Sequence, residues 1–340
     1  MRVRGGVGVR RAAVVAGREV ELDLLLRTVH TARSGEASCI VLVGEGGVGK
    51  SRLLGEAAAA GRQLGVGVLA GRAPITTPVA FSVVAEALRS WLRGHPVSLG
   101  GADRQSAAFD AGLRLVLPEW STADAGPELS GAQLRLLALE GIVQLVRRIA
   151  AANDGALVLL DDLHAADPES LEAARYLAAA GVEGVAILGA MRPGESPMAD
   201  EFVRSLGHAV SAQVVDLTPL DERAVTDLLA ALLDSDPPPP LVADIMARTD
   251  GVPLLVEEVL DAHLRAGSVQ VGSEGTRWRG GSNIVPKTVR GMVEGRLDRI
   301  DEKRDGFGCY AGVPAKSILA PWEPGASPSS VQQRPSETRH

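Results

Sequence analysis

The segment from Ser38 to Leu64 constrains this chain more than any other. The uncharged run Ser38-Cys39-Ile40-Val41-Leu42-Val43 leads straight into Gly44-Glu45-Gly46-Gly47-Val48-Gly49-Lys50-Ser51, and the alanine-rich stretch Ser51 to Leu64 follows. A short apolar run ending in glycines predicts a buried strand, and the alanine-rich stretch predicts a helix. The turn between them satisfies G-x-x-x-x-G-K-[ST], and each residue type has a physical reason. Glycines let the backbone fold tightly with its N–H groups pointing inward, a cradle for phosphates. A helix beginning near Lys50 offers that anion a partial charge of about +0.5 at its N-terminus. Lys50 is placed to reach the β- and γ-phosphates, and the Ser51 hydroxyl to ligate magnesium. All eight residues, Gly44, Glu45, Gly46, Gly47, Val48, Gly49, Lys50 and Ser51, therefore form the candidate nucleotide loop.

Such a loop needs a second magnesium ligand at the end of a neighbouring strand. Leu157-Val158-Leu159-Leu160-Asp161-Asp162 supplies it: four apolar residues, then two carboxylates. Asp161 is expected to hold magnesium through water, since that ion keeps several of its waters. Asp162 is expected to orient or deprotonate the attacking water. The plainer alternative is that the pair merely ends a strand and caps the next helix. Arg192, after the apolar run Val185 to Ala190, is either a sensor of the γ-phosphate or an ordinary exposed arginine at a strand end. His164 has no second His or Cys at ligand spacing, so a surface or packing role is expected. The guanine-specifying N-K-x-D is absent, which favours adenine.

The remaining periodicity gives the architecture. Helices are expected over Gly17–Arg33, Phe81–Leu92, Gln133–Ala152 and Pro168–Ala180, with further strands at Val66–Ala70, Ala156–Leu160, Val185–Ala190 and, more weakly, Gln213–Leu217. Alternating strands and helices predict an α/β fold, a parallel sheet with helices on both faces. The strand signal stops near Leu217 to Asp221. Helices then follow at Glu222–Leu233, Leu241–Arg248 and Leu254–Ala266, with a small hairpin at Ser268–Arg279 and a last helix at Lys287–Ile300. Pro96 to Gly126 reads as loop-rich. The resulting division is a lead-in (1–14), a P-loop domain (15–219), a small helical lid with its hairpin (220–284), a further helix (285–300) and a tail without periodicity (301–340), which is expected to be disordered.

Composition excludes several classes. The chain has 340 residues and a net charge of −7, which gives no global attraction to nucleic acid or anionic lipid. Its hydrophobic fraction is 46% with only 3% aromatic, which argues against a β-sandwich. Two cysteines imply neither a disulfide framework nor a metal cluster, and no run approaches the ~20 apolar residues of a spanning helix. A cytoplasmic protein is expected.

Several motifs occur in a fixed order: Gly17-Arg18-Glu19 with Glu21-Leu22, the phosphate loop, Asp161-Asp162-Leu163-His164-Ala165-Ala166-Asp167, Arg192-Pro193-Gly194-Glu195 and Gly251-Val252-Pro253-Leu254. The set resembles the ATPase module of LuxR/MalT-like bacterial regulators, within the STAND class of AAA-related ATPases, over about Val15 to Ile300. The resemblance implies that Gly17 and Arg18 line an adenine pocket, that Pro253 contacts the base from the lid, and that Arg192 reports the γ-phosphate. Without it, Pro253 reads equally well as a proline in a first helical turn. The resemblance also implies a slow ATP switch with magnesium, closing its lid on ATP and signalling through self-association or regulatory protein partners. In such proteins the helix at 285–300 opens a winged-helix domain. Here the character changes at Asp301, as in a truncated or frameshifted end, and DNA binding by this chain is not expected. Three readings stay open: an ATP-hydrolysing regulatory switch, a nucleotide-binding interaction module with little turnover, and the ATPase part of a DNA-binding regulator.

Overall fold

The computed structural model describes residues 15–74, 79–95, 112–120, 130–206, 212–272 and 275–280. The expected lead-in, most of the loop-rich segment 96–126, the hairpin tip, the helix at 287–300 and the tail lie outside them.

Helix α1 (Glu19–Arg33) leads into β1 (Ser38–Gly44), α2 (Lys50–Gln63), β2 (Gly67–Arg72) and α3 (Ser82–Leu92). Next come α4 (Gly131–Ala152), β3 (Ala156–Asp161), α5 (Pro168–Ala180), β4 (Val185–Met191), α6 (Pro197–Leu206) and β5 (Ala212–Leu217). Helices α7 (Glu222–Leu233), α8 (Pro239–Thr249) and α9 (Pro253–Arg265) follow, then the antiparallel pair β6 (Val269–Gly272) and β7 (Gly275–Trp278). Strands and helices thus fall where the periodicity predicts them, with two additions. One is α6, and the other a helical stretch at 112–116 inside the loop-rich segment, where Leu113 and Val116 are buried.

The five-stranded sheet is parallel throughout, in the order β2-β3-β4-β1-β5. The carboxylate strand β3 is therefore not the neighbour of β1, as the sequence reading supposed. Strands β4 and β5 take both edges of β1, and β3 pairs on the far side of β4. Burial follows this order. Strand β4 is buried at every position and β1 and β3 at all but one, while the edge strands β2 and β5 are buried only in part. That explains why the central strands read as continuous apolar runs.

The pleat divides the core in two. Cys39, Val41, Val158, Leu160 and Ile187 face α3, α4, α5 and α6, whereas Ile40, Leu42, Leu157, Leu159 and Leu188 face α1 and α2. Fully burying a Leu or Ile contributes about 1.5–3 kcal/mol relative to leaving it exposed, so this two-sided packing fixes the strand register. Burial pushes the Cys39 thiol up to about 12, so Cys39 acts as a small apolar side chain. Among the described residues no helix is long and apolar enough to cross a membrane.

A polar knot ties the helices that carry the sheet's upper rim. Asp167, only 2% exposed, caps α5 by accepting from the Ser170 amide (2.7 Å) and hydroxyl (2.7 Å). It also accepts from the amides of Phe81 (2.8 Å) and Ser82 (3.0 Å) and from the Ser82 hydroxyl (2.7 Å), which anchors the entry to α3. Burial alone would raise the Asp167 carboxyl, but the hydrogen bonds from Ser170, Ser82 and Phe81 outweigh it and hold it below the usual range.

Candidate functional site

All five strands point their carboxyl ends at one rim, where ligands bind in open parallel sheets. The phosphate loop emerges there from β1. Gly47 (φ +83) and Gly49 (φ +107) take the left-handed backbone that only glycine adopts freely, and α2 starts at Lys50 with no side-chain cap on its first amides. The Lys50 ammonium turns back into the loop and donates to the carbonyls of Gly44 (2.6 Å) and Glu45 (2.8 Å). Burial, and then the nearby Arg192, lower the Lys50 pKa, while Asp162, Asp161 and Glu45 act in the opposite sense.

A cleft of about 380 Å³ opens over this loop. Gly46 to Leu53, Asp162 and Arg192 line one side, and Arg18, Leu220, Pro253 and Leu254 the other. The structure thus brings Lys50, Ser51, Asp162, Arg192, Arg18 and Pro253 together around one space. Arg192 follows β4, the strand beside β1, and a Cβ built on Gly46 would lie 3.3 Å from its guanidinium carbon. The arginine therefore lies directly against the loop. Its amide donates to His164 Nδ1 (3.4 Å), and Glu195 approaches both Arg192 Nη1 (3.5 Å) and His164 Nε2 (3.4 Å). His164 is 9% exposed, and burial lowers its pKa. It packs beneath the arginine, in keeping with the packing role expected of it.

Asp161 and Asp162 part at the end of β3. Asp162 takes a left-handed backbone (φ 57) and enters the cleft, while Asp161 stays on the strand axis and accepts from the Asp162 amide (3.0 Å). Asp161 is joined to Ser51 through a residue the sequence reading missed. Arg72, at the end of β2, pairs in register with Asp161 and donates to its Oδ2 from Nε (3.1 Å) and Nη2 (2.5 Å). The same Nη2 donates to Ser51 Oγ (3.2 Å), and Nε lies 3.3 Å from Asp162 Oδ2. The Asp161 hydrogen bond raises the Arg72 pKa above its ordinary value. The signal available was slight: an arginine closing the strand Gly67–Arg72, two residues beyond the expected end.

On the opposite wall, Arg18 is buried and donates from Nη2 to the carbonyls of Thr218 and Val48 (3.5 Å), and from Nη1 to Glu21 (3.0 Å). Gly17 does not line this cleft: at φ +68 its Cα faces α7, and an added Cβ would lie 2.2 Å from the Ala224 Cβ. Pro253 stands in the first turn of α9, and the next amide, Leu254, donates to the Gly47 carbonyl (3.2 Å). The start of α9 thus rests on the loop itself.

The donor set fits a magnesium nucleotide: turned loop amides, a buried ammonium, a hydroxyl and the Asp162 carboxylate around one space, with Asp161 joined to Ser51 through Arg72. A family model described as an AAA ATPase domain matches residues 14–188, just over half of the chain. The chain belongs to this AAA ATPase domain family. The matched span runs from the start of the Arg18 wall through the phosphate loop and β3 into β4, so it contains the whole phosphate loop, Asp161 and Asp162, while Arg192 and Glu195 follow it. Beyond it, the chain continues into β5 and the helices of the opposite wall.

Among solved structures the fold is similar to a Walker-type ATPase of Pyrococcus abyssi, with a TM-score of 0.51 and 16% identity over 87% of this chain and 78% of that one. A STAND signal-transduction ATPase with a tetratricopeptide-repeat sensor from Pyrococcus horikoshii matches at a TM-score of 0.40 and 18% identity, over 73% of this chain. That match spans 30% of the longer archaeal protein. A search of curated proteins finds no match.

Proposed function

We propose that this AAA ATPase domain binds ATP with magnesium and hydrolyses it slowly, as the switch module of a LuxR/MalT-like STAND regulator. Residues 15–219 act as the P-loop domain and 220–284 as its lid. The observation that carries the reading is the convergence of Lys50, Ser51, Asp162 and Arg192 on one cleft roofed by α9. Lys50 and the loop amides hold the β- and γ-phosphates, and Arg18 and Pro253 form the adenine end. Ser51 and Asp161 hold the magnesium ion, which neutralises phosphate charge. Asp162 takes the proton of a water whose oxygen bonds to the γ-phosphorus as the bond to the β–γ bridging oxygen breaks, giving ADP and phosphate. Arg192, held against the loop, balances charge on the γ-phosphoryl oxygens.

The switch follows from the contact between α9 and Gly47: a nucleotide that fills the cleft touches both walls, and binds the closed arrangement better than an open one. Closure then presents a surface for self-association or for regulatory protein partners. The experiment is phosphate release by wild type and Asp162→Asn. Loss of turnover by about 10²-fold or more with nucleotide still bound is expected of a lost general base. Undiminished turnover in the variant removes Asp162 from the reaction. A second reading, a nucleotide-binding module with little turnover, draws support from the Arg72–Asp162 ion pair (3.3 Å), because the carboxylate is engaged by a guanidinium rather than by a water.

A further inference from the structure

Arg72 ends an edge strand, and its backbone amide is fixed by Glu86 Oε2 of α3 (3.0 Å). Its head group does not trail along the surface. One planar guanidinium spans two elements, bonded to the Ser51 hydroxyl of α2 and to the Asp161 carboxylate of β3, with Asp162 in ion-pair range. Asp161 is only 13% exposed, so this is more than a loose surface pair. The partners are the same hydroxyl and carboxylate assigned above to the metal. That coincidence has a chemical consequence. The Ser51 oxygen accepts from Arg72 with one of its two lone pairs, and magnesium demands near-ideal octahedral oxygen coordination. A doubly charged ion and a guanidinium also repel each other at such range. The guanidinium and the ion therefore compete for these oxygens.

We infer that Arg72 is a built-in counter-ion of the metal site, a guanidinium that neutralises Asp161 and Asp162 and must be displaced before the nucleotide is held in its magnesium form. The Arg72 side chain is 56% exposed on a flexible stem, so it can swing away at little cost. In place, it keeps the two adjacent carboxylates from repelling each other. Displaced, it leaves them to the ion. Arg72 thereby sets the magnesium concentration at which nucleotide binds. The same cation competes with metal whether or not hydrolysis follows.

This inference rests on the reading of the cleft as a magnesium–ATP site, and the experiment separates the two. Binding of a fluorescent ATP analogue is followed against magnesium concentration for wild type, Arg72→Met and Arg72→Lys. Manganese alone, without nucleotide, is titrated in parallel by electron paramagnetic resonance. Arg72→Met is expected to reach half-maximal nucleotide binding at a magnesium concentration lower by on the order of tenfold, the scale of one hydrogen bond to a charged group, and to bind manganese more tightly. Arg72→Lys, which keeps the charge and loses the planar fork, is expected to fall between it and wild type. An unchanged or higher magnesium requirement in Arg72→Met, with wild type binding the analogue normally, overturns the inference alone. Failure of wild type to bind the analogue at any magnesium concentration overturns the reading of the cleft, and this inference with it.

Discussion

On the carboxylate side of the phosphate loop, the contacts run through charged side chains: Arg72 to Asp161 and Ser51, Arg192 to Glu195, and, one layer below, Asp167 to five donors. On the lid side, Arg18 apart, they run through backbone and close approach. Leu254 donates to Gly47, Leu220 donates to the Gly251 carbonyl (2.8 Å), and Gly17 and Gly251 have no room for a methyl group. Charged contacts can be exchanged for a ligand's charges one at a time. A backbone seam is either made or broken. The two walls therefore suit different tasks: one rearranges around phosphate and metal, and the other docks or releases as a unit.

The largest effect expected from this contrast is at the seam. A Cβ at Gly251, where φ is +72, would lie 1.9 Å from the Leu220 carbonyl oxygen. Gly251→Ala should cost about 2–4 kcal/mol, from left-handed strain plus overpacking. Denaturant unfolding and limited proteolysis of residues 220–280 measure it. A wild-type midpoint with unchanged protection would show that close approach does not hold this wall.

Next comes Asp167→Asn, expected to cost about 2–3 kcal/mol because buried donors lose a charged acceptor. Its folded-state carboxyl lies below the ordinary value, so the stabilisation is full above the unfolded carboxylate pKa of about 3.9 and is lost as pH falls through the folded value. The stability gap between wild type and variant should therefore close in acid. A gap of constant size from neutral pH downwards would mean that shape, not charge, matters there.

These two positions also mark how far the sequence could be read. The phosphate loop, the three inner strands and the Asp161–Asp162 step announce themselves, because burial on both faces and phosphate chemistry restrict residue type position by position. Relations between distant segments leave no such trace. Asp167 reads as the start of a helix, and its hold on Phe81 and Ser82 depends on how α3 and α5 meet across one face of the sheet. Arg72 lies two residues beyond the strand expected at Val66–Ala70, and only the parallel register of β2 on β3 brings it to Asp161. Strand order was equally hidden, which is why β3 was taken for the neighbour of β1. Helix α6 escaped because its ten residues follow directly on the Pro193-Gly194 turn and begin with Pro197.

The smallest effect separates charge from packing on the carboxylate wall. Arg72→Met should change stability by no more than about 1 kcal/mol, since its guanidinium is half exposed. Whatever change appears at low salt should vanish near 1 M, where screening acts within about 3 Å. A difference that persists in high salt would assign Arg72 to packing, and the contrast between the walls would lose its sharpest case.

Nucleotide-dependent melting of wild type and Lys50→Ala tests the central claim most directly. With magnesium and ATP at 100 times its dissociation constant, wild type should gain about 2.7 kcal/mol, or roughly 5–10 °C in Tm, and Lys50→Ala should lose most of that gain. AMP should give little. Equal stabilisation by AMP, or an undiminished rise in Lys50→Ala, would contradict a cleft built to hold a triphosphate.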